Sequence, residues 1–379
     1  MQKLLLTGIN TRPMINSGLK LNYTIFSTSY YSTYDFKEIS NEKHLLNQEK
    51  NSSCGFFEEN YNSEKLLKLS LDYLEEVDFI IPISGITSSD FKGKYKKFKN
   101  KIIGNKDIDH IENKLKFYNK IKNKFLTPET FKVKDIYEAY ELVSNDNDLE
   151  YIIKPLKGSG GYGINILNNE SLNQFNDSNQ EYLIQEYVSG KNISSSVLAS
   201  KDNYKTIMNS EILIENNFVY SGNILPYEKN IAELTDTSEE LIEYFKLIGS
   251  NGIDYILDEN GSLNIIEINP RIQGTYELCE EALKINMLEA HIKACENEII
   301  NIEIPQNEYF LKKIIYSKNK VKINNLNIKN LYDIPYPEVI IEKNQPIATI
   351  LLRNKNIENL NKDLKITYDN LKRNLVNVE

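Results

Sequence analysis

Two acidic side chains and an amide near residue 260 have the types and spacing to hold a cation. The chain there reads Gly252-Ile253-Asp254-Tyr255-Ile256-Leu257-Asp258-Glu259-Asn260-Gly261-Ser262-Leu263-Asn264-Ile265-Ile266-Glu267-Ile268-Asn269-Pro270-Arg271. Two apolar-rich runs flank Asn260-Gly261, the strongest short-range signal for a β-hairpin. A two-residue turn there puts Glu259 opposite Ser262 and, counting outward, Asp254 opposite Glu267. Asn269 then shares a strand face with Glu267. Like charges facing each other across a ladder are destabilising, so the pair implies a cation between them. Oxygen donors alone favour Mg²⁺ or Mn²⁺ over zinc. Arg271 follows, with the planar fork that suits a metal-bound phosphate. The competing reading is a hairpin whose acids sit on a wet face, and the rest of the chain weighs against it.

A second stretch is Tyr151-Ile152-Ile153-Lys154-Pro155-Leu156-Lys157-Gly158-Ser159-Gly160-Gly161-Tyr162-Gly163-Ile164. It lacks the Gly-Lys-Ser/Thr and the following helix of a Walker A loop. A glycine loop between two strands can instead fold over a triphosphate and offer backbone N–H donors. Lys154, at the end of the incoming strand, can meet a phosphate as a point charge. The bland alternative is an ordinary flexible hairpin. A third stretch, Tyr182-Leu183-Ile184-Gln185-Glu186-Tyr187-Val188-Ser189-Gly190, is an apolar strand able to present backbone groups to an adenine edge.

The elements that must position these groups fall into three units. Residues 1–103 alternate strands (3–6, 23–27, 77–83) with helices (12–20, and 63–76 capped by Ser63), a doubly wound α/β pattern. The turn after the first strand, Gly8-Ile9-Asn10-Thr11, lacks the dinucleotide-binding glycine fingerprint. Residues 104–303 hold helices at 109–122 and 135–143, the glycine loop between strands 151–154 and 163–167, a helix 237–247 opened by a Thr237–Glu240 capping box, the acidic hairpin, and one long helix 276–295. Residues 304–379 read as a small β-rich unit, with strands at 310–316, 337–342 and 348–352 and a closing helix at 360–375.

The chain has 379 residues, 40% hydrophobic and 26% charged, which suits a soluble globular protein of two or three domains. A net charge of −9 argues against a nucleic-acid partner. No apolar run is long enough to span a bilayer, and the N-terminal apolar run is too short for a secretory leader. Three cysteines, Cys54, Cys279 and Cys295, show no metal spacing. A reduced, cytoplasmic protein is the expectation. His44, His110 and His291 have no nucleophile at a recognisable spacing. Tyr30, Tyr31 and Tyr34 are candidates to line a substrate pocket. The sequence leaves oligomeric state open.

Taken together and in this order, Lys114 on a helix before Pro128, Lys154-Pro155 with its glycine loop, Gln185-Glu186-Tyr187-Val188, and Asp254 with Glu267-x-Asn269 resemble the ATP-grasp superfamily over roughly residues 104–300. Within it the chain is similar to the archaeal predicted carboligase group that includes tyramine–glutamate ligase. Thr11-Arg12-Pro13, Tyr220-Ser221-Gly222-Asn223-Ile224-Leu225-Pro226, Glu267 through Thr275, Asp333-Ile334-Pro335 and Gln345-Pro346-Ile347-Ala348 carry that closer likeness.

The resemblance implies a fold: a pre-ATP-grasp α/β domain, an α+β ATP-grasp domain and a small β-rich C-terminal domain. It also implies roles. Lys114 contacts the α-phosphate, with Lys116 and Lys120 on the same helix as alternatives, and Lys154 contacts the α- and β-phosphates of ATP. Gly158, Ser159, Gly160, Gly161 and Gly163 form the loop that closes over the nucleotide, and Glu186, Tyr187 and Val188 form the adenine hinge. Asp254, Glu267 and Asn269 hold two Mg²⁺ or Mn²⁺ ions, and Arg271 steadies the γ-phosphate. The implied activity is an ATP-dependent carboxylate–amine ligase acting through an acyl-phosphate on a small carboxylate, an amino acid being one option. A bicarbonate-activating carboxylase and a non-catalytic nucleotide-binding module are the alternatives. Departing from the pattern, Lys191-Asn192-Ile193 stands where a ribose-binding acid is often found. Arg12, at the start of the first helix, is a candidate to hold a second substrate carboxylate, or else a solvated surface residue.

Overall fold

The computed structural model describes residues 1–36, 39–143, 149–156, 160–168, 181–215, 218–303, 308–323 and 327–378, with the side chains of 142 and 143 excepted. The fold is α/β in its first hundred residues or so and α+β beyond. Gln2–Gly8 pairs in parallel with Tyr23–Ser29 on one side and Phe79–Pro82 on the other, and Glu42–His44 adds an edge strand. Leu4, Leu5 and Leu6 are all fully buried, because a parallel sheet is covered on both faces.

The expected helix over 63–76 is two helices, Ser63–Leu69 and Leu71–Glu76. The cap is Asn62, not Ser63: its side chain accepts from the N–H groups of Glu64 and Lys65. Asn113 likewise divides the 109–122 segment into Asp109–Glu112 and Lys114–Ile121, and Asn286 caps Met287–Cys295 after Tyr276–Leu283. Part of the chain's abundant asparagine therefore works as helix caps. The Thr237–Glu240 capping box does not exist. The helix there runs Ile231–Phe245, since the apolar stripe already begins before Thr237 with the fully buried Leu234.

A second sheet has eight antiparallel strands in the order Leu263–Asn269, Gly249–Asp258, Gly190–Ala199, Tyr204–Ile214, Tyr220–Leu225, Tyr309–Tyr316, Pro346–Asn354 and Leu331–Tyr332. The strands after residue 308 thus continue the sheet of the middle region. The expected strand at 337–342 makes only isolated bridges, at Ile340 and Ile341. A four-stranded antiparallel sheet, Thr130–Val133, Tyr182–Glu186, Tyr151–Pro155 and Asn165–Ile166, stands over the large one and carries the glycine loop. Among the described residues no helix is long and apolar enough to cross a membrane.

The first sheet is fixed to the rest by apolar packing and by one buried charge cluster. Leu4, Leu6, Ile15 and Ile25 share a core with Leu278, Leu288, Ile292 and Phe310. Beside it, Arg12 is only 4% exposed. Its two terminal nitrogens donate to the two oxygens of Glu277 at 2.7 and 3.0 Å, and Nε donates to Asp333 Oδ1 at 2.7 Å. Tyr332 lies under the guanidinium at 5.3 Å. Burial disfavours the charge, but Asp333 and then Glu277 more than offset it and hold the Arg12 pKa above the ordinary arginine value. Arg12 is therefore neither a solvated surface residue nor free to hold a substrate carboxylate. It joins the first helix to elements near residues 277 and 333. Removing one partner of a buried ion pair costs about 3–5 kcal/mol, so Arg12→Ala is expected to lose that much in urea unfolding. A loss below about 0.5 kcal/mol, the scale of a neutral surface change, would show the cluster to be incidental.

Candidate active site

The acidic hairpin places Asp254 opposite Glu267 and Gly252 opposite Asn269, but not through the expected turn. Asp258 N–H donates to Ser262 O at 3.1 Å and Gly261 N–H to Asp258 O at 3.1 Å. The loop is thus three residues, Glu259-Asn260-Gly261, with Gly261 at φ +84°. Asp258 selects it: its Oδ1 accepts from the N–H groups of Asn260 at 2.9 Å and Ser262 at 2.8 Å. By itself this loop would set Asp254 against Ile266. A bulge between Asp254 and Tyr255 absorbs one residue and restores the acidic pair. Bulges re-aim side chains in this way beside functional sites.

The predicted ligand residues converge. Lys114 Nζ bonds Glu267 Oε2 at 2.6 Å, and Ser194 Oγ bonds Asp254 Oδ1 at 2.6 Å. Asn269 Nδ2 donates to Asp254 Oδ2 at 3.0 Å and weakly to Glu267 Oε1 at 3.4 Å, while Arg271 Nη2 donates to Asn269 Oδ1 at 3.0 Å. Burial and the charge of Glu267 raise the Asp254 pKa. Burial pushes Glu267 upward too, but Lys114, then Lys154 and Arg271, more than offset it and hold it below the usual carboxylate range.

These residues fit a small divalent cation. The amide N–H of Asn269 occupies the space between the two carboxylates, where a positive charge is favoured. Which way an amide points is set by its hydrogen bonds, and turning it would direct a third oxygen at the same space. Among the described residues no cluster of three His, Cys, Asp or Glu side chains exists. Two carboxylates completed by substrate phosphates is the usual provision for Mg²⁺.

Lys114, Lys154, Glu186, Tyr187, Val188, Gly160, Gly161 and the cation-site residues line one cleft of about 630 Å³. Lys114 faces it, whereas Lys116 turns out to Asp109. Lys154 is 4% exposed and donates to Gln185 Oε1 at 2.7 Å. Gln185 in turn donates to Thr130 at 2.8 Å. The Tyr187 N–H is occupied by Glu150 O at 2.8 Å. Gly160 O accepts from Tyr220 N–H at 3.0 Å. Gly161, at φ +80°, lies so close to the backbone that a Cβ would stand 1.8 Å from Phe218 O. Gly163 has φ +77° but does not line the cleft. Gly158 and Ser159 lie outside the described residues.

Gln185, which the sequence offers within the hinge motif without a role of its own, positions Lys154, and Ser194, which no sequence pattern marks, orients Asp254. Ser194 sits in register with Asp254 on Gly190–Ala199, a strand whose run of three serines carries no apolar alternation. Asn192 lines the cleft where a ribose-binding acid was sought, and Lys191 pairs with Glu211. Tyr30 and Tyr31 line the cleft and Tyr34 does not. His291 is buried, accepts from Ser250 N–H at 2.9 Å and is pushed down to about 4 by burial, which suits a neutral packing residue.

Residues 111–275 match the ATP-grasp domain family. The chain is 33% identical over 371 residues to an uncharacterized protein of Methanocaldococcus jannaschii, covering 97% of this chain and 91% of that one. It is 30% identical over 201 residues to the tyramine–L-glutamate ligase of Methanocaldococcus fervens, covering 52% of this chain and 57% of the ligase. An ADP complex of N5-carboxyaminoimidazole ribonucleotide synthetase shares the fold, with a TM-score of 0.74 over 98% of both chains at 14% identity. The chain belongs to the ATP-grasp superfamily and is an enzyme of the ATP-grasp ligase type.

Burial, and then the nearby Lys114 charge, lower the Lys154 pKa to about 7. A bound polyphosphate favours the charged form and raises it again. Nucleotide binding should therefore take up a proton above about pH 7, and affinity should fall as pH rises from there. Calorimetry of ATP binding near pH ~8 in buffers of different ionisation heat would show the uptake. Equal heats in all buffers would contradict it.

Proposed function

We propose that the chain is an ATP-dependent carboxylate–amine ligase that forms an amide through an acyl-phosphate and releases ADP and phosphate. The observation that carries this reading is the meeting of Asp254, Glu267 and Asn269 with Lys114, Lys154 and Arg271 at one end of a cleft. Three cations and a cation-ready oxygen set suit the charge of a triphosphate and of the phosphoryl group in transfer. Divalent ions, two Mg²⁺ or Mn²⁺ in this reading, would sit at Asp254, Glu267 and Asn269 and supply neutralisation of the transferring phosphoryl group.

The protein's own part is positioning and charge. Lys154, held by Gln185, meets the α- and β-phosphates, and Lys114 the α-phosphate. In this reading the loop carrying Gly160, Gly161 and Gly163 covers them. Glu186, Tyr187 and Val188 frame the adenine, with the Tyr187 carbonyl left as a candidate contact by the occupied N–H. Arg271 steadies the γ-phosphate. A carboxylate oxygen of the acid attacks the γ-phosphorus and ADP leaves. The amine lone pair then attacks the acyl carbon, phosphate leaves, and the amine proton passes to solvent. No covalent enzyme nucleophile is needed. In this reading residues 1–103, 104–303 and 304–379 act as three units around the cleft. In this reading the reaction runs in the cytoplasm, a reducing compartment that suits cysteines such as Cys54, Cys279 and Cys295.

Glu267→Gln removes a charge with almost no change of shape. Turnover should fall about a hundredfold or more, the scale for losing key electrostatic stabilisation, while the folded state survives. Near-normal activity of the folded variant at low Mg²⁺ would sink the cation-site assignment. The reaction itself is tested by assaying ADP against panels of carboxylates and amines. ADP that depends on both substrates, with hydroxylamine capturing the acid as a hydroxamate, is the expected result. AMP as the nucleotide product would overturn the mechanism. Full ADP release with bicarbonate alone would point to a carboxylase, and nucleotide binding without any turnover to a binding module.

A further inference from the structure

Phosphate binding leaves one charged wall of the cleft without a task. Besides Lys114, Lys154 and Arg271, the cation among the described cleft residues is Lys312. It stands on Tyr309–Tyr316 opposite Asn223, four strands across the large sheet from Asp254. The sheet curls, so that Gln273, next to the Gly274 carbonyl that Lys312 bonds, packs against Gly252, but Lys114 bonds Glu267 and Arg271 bonds Asn269 directly and Lys312 bonds none of the cation-site residues. A triphosphate held at Asp254 and Glu267 is served by the three nearer cations.

Lys312 is nearly sealed, with 8% of its surface exposed. Its Nζ donates to Gly274 O at 3.2 Å. The nearest carboxylate oxygen, Glu277 Oε2, is 3.9 Å away. That is an ion-pair distance, and both Glu277 oxygens already accept from Arg12. Asp333, the other acid on this wall, accepts from Arg12 Nε and from Asn10 Nδ2. Arg12 thus satisfies the two acids at close range and leaves the Lys312 ammonium with hydrogen-bonding capacity on the cleft side. A buried charge with unfilled donors is costly unless a ligand completes it. Thr349 and Asn223, neutral polar groups, also line the cleft, and Asn223 is in register with Lys312.

We propose that Lys312 marks an anion subsite, and that the acid activated by this enzyme carries a second anionic group, a carboxylate or a phosphate, held there while its reacting carboxylate lies beside Arg271. The inference rests on the ligase reading and names the class of its acid substrate. The role that the sequence suggested for Arg12 thereby falls to Lys312, because Arg12 is occupied by Glu277 and Asp333. The peptide from Arg271 to Gly274 links the two ends. Its three steps bound the Cα separation at about 10 Å, which sets the scale of the substrate as a small dianionic acid.

The test compares hydroxamate formation by the full chain with matched sets of acids: monocarboxylates, the same skeletons bearing a second carboxylate, and the same skeletons bearing a phosphate. The wild type should favour a dianionic set, and the preferred set identifies the group. Lys312→Met should raise KM for those acids roughly thirtyfold, the scale of a hydrogen bond to a charged group. KM for ATP should stay within about twofold, and Lys312→Arg should recover part of the loss. Equal use of monoanionic acids, or equal effects of Lys312→Met on both classes, would overturn the proposal. A second readout does not depend on turnover. With MgADP present, malonate or inorganic phosphate should raise the Tm of the wild type and of Lys312→Arg but not of Lys312→Met. Identical protection of all three proteins would overturn the subsite even if hydroxamate were formed. Protection lost in Lys312→Met while no acid yields hydroxamate would sustain the subsite and remove the ligase reading instead.

Discussion

The mutual repulsion of Asp254 and Glu267 is the constraint around which the cleft is organised. Two carboxylates face each other across a ladder, a pairing that weakens a sheet unless positive charge lies between them. In the protein alone the offset is assembled from several sides. Lys114 arrives from a separate helix, Asn269 turns its amide inward, and Ser194 holds the far oxygen of Asp254. Each of these contacts could be exchanged for a metal ion and phosphate oxygens. The same residues therefore suit an empty site that remains folded and a filled one in which the acids become ligands.

The second organising feature is a division of labour among cations. Lys154 and Lys114 stand where the small sheet and the helix before it meet the acidic hairpin, and Arg271 lies just past its end. Arg12 binds Glu277 and Asp333, so its positive charge serves assembly. A buried guanidinium that pairs with acids from two distant parts of the chain aligns the wall of the cleft. It can do so because its planar fork makes three hydrogen bonds in fixed directions. Lys312 would have been an unremarkable strand residue without that arrangement.

Much of the site was legible because its chemistry lies in short, local patterns. The hairpin register, the lysine before the glycine loop and the hinge strand each occupy fewer than twenty consecutive residues. Even so, the Asp254–Glu267 pairing was reached through a two-residue turn that does not exist. The three-residue loop and the bulge shift the register in opposite senses, and only their combination restores the pair. What escaped was mostly non-local. Ser194 becomes meaningful only when its strand is laid beside Asp254, and Gln185 only when Lys154 is seen to reach it. The continuous helices expected over 109–122 and 276–295 are broken where Asn113 and Asn286 cap a new helix, and the one over 63–76 is broken at Ser70, whose hydroxyl bonds Leu66 O. The fate of Arg12 depended on Glu277 and Asp333, hundreds of positions away, which no local pattern links to it.

Direct observation of the cation is the most economical check on this account. Mn²⁺ can be titrated into the purified protein with a non-hydrolysable ATP analogue and followed by electron paramagnetic resonance. The account predicts two bound Mn²⁺ per chain, dependent on the nucleotide, with at least one lost in Asp254→Asn. Mn²⁺ binding that is absent, or unchanged when Asp254 loses its charge, would contradict the assignment of the acidic hairpin as the metal site.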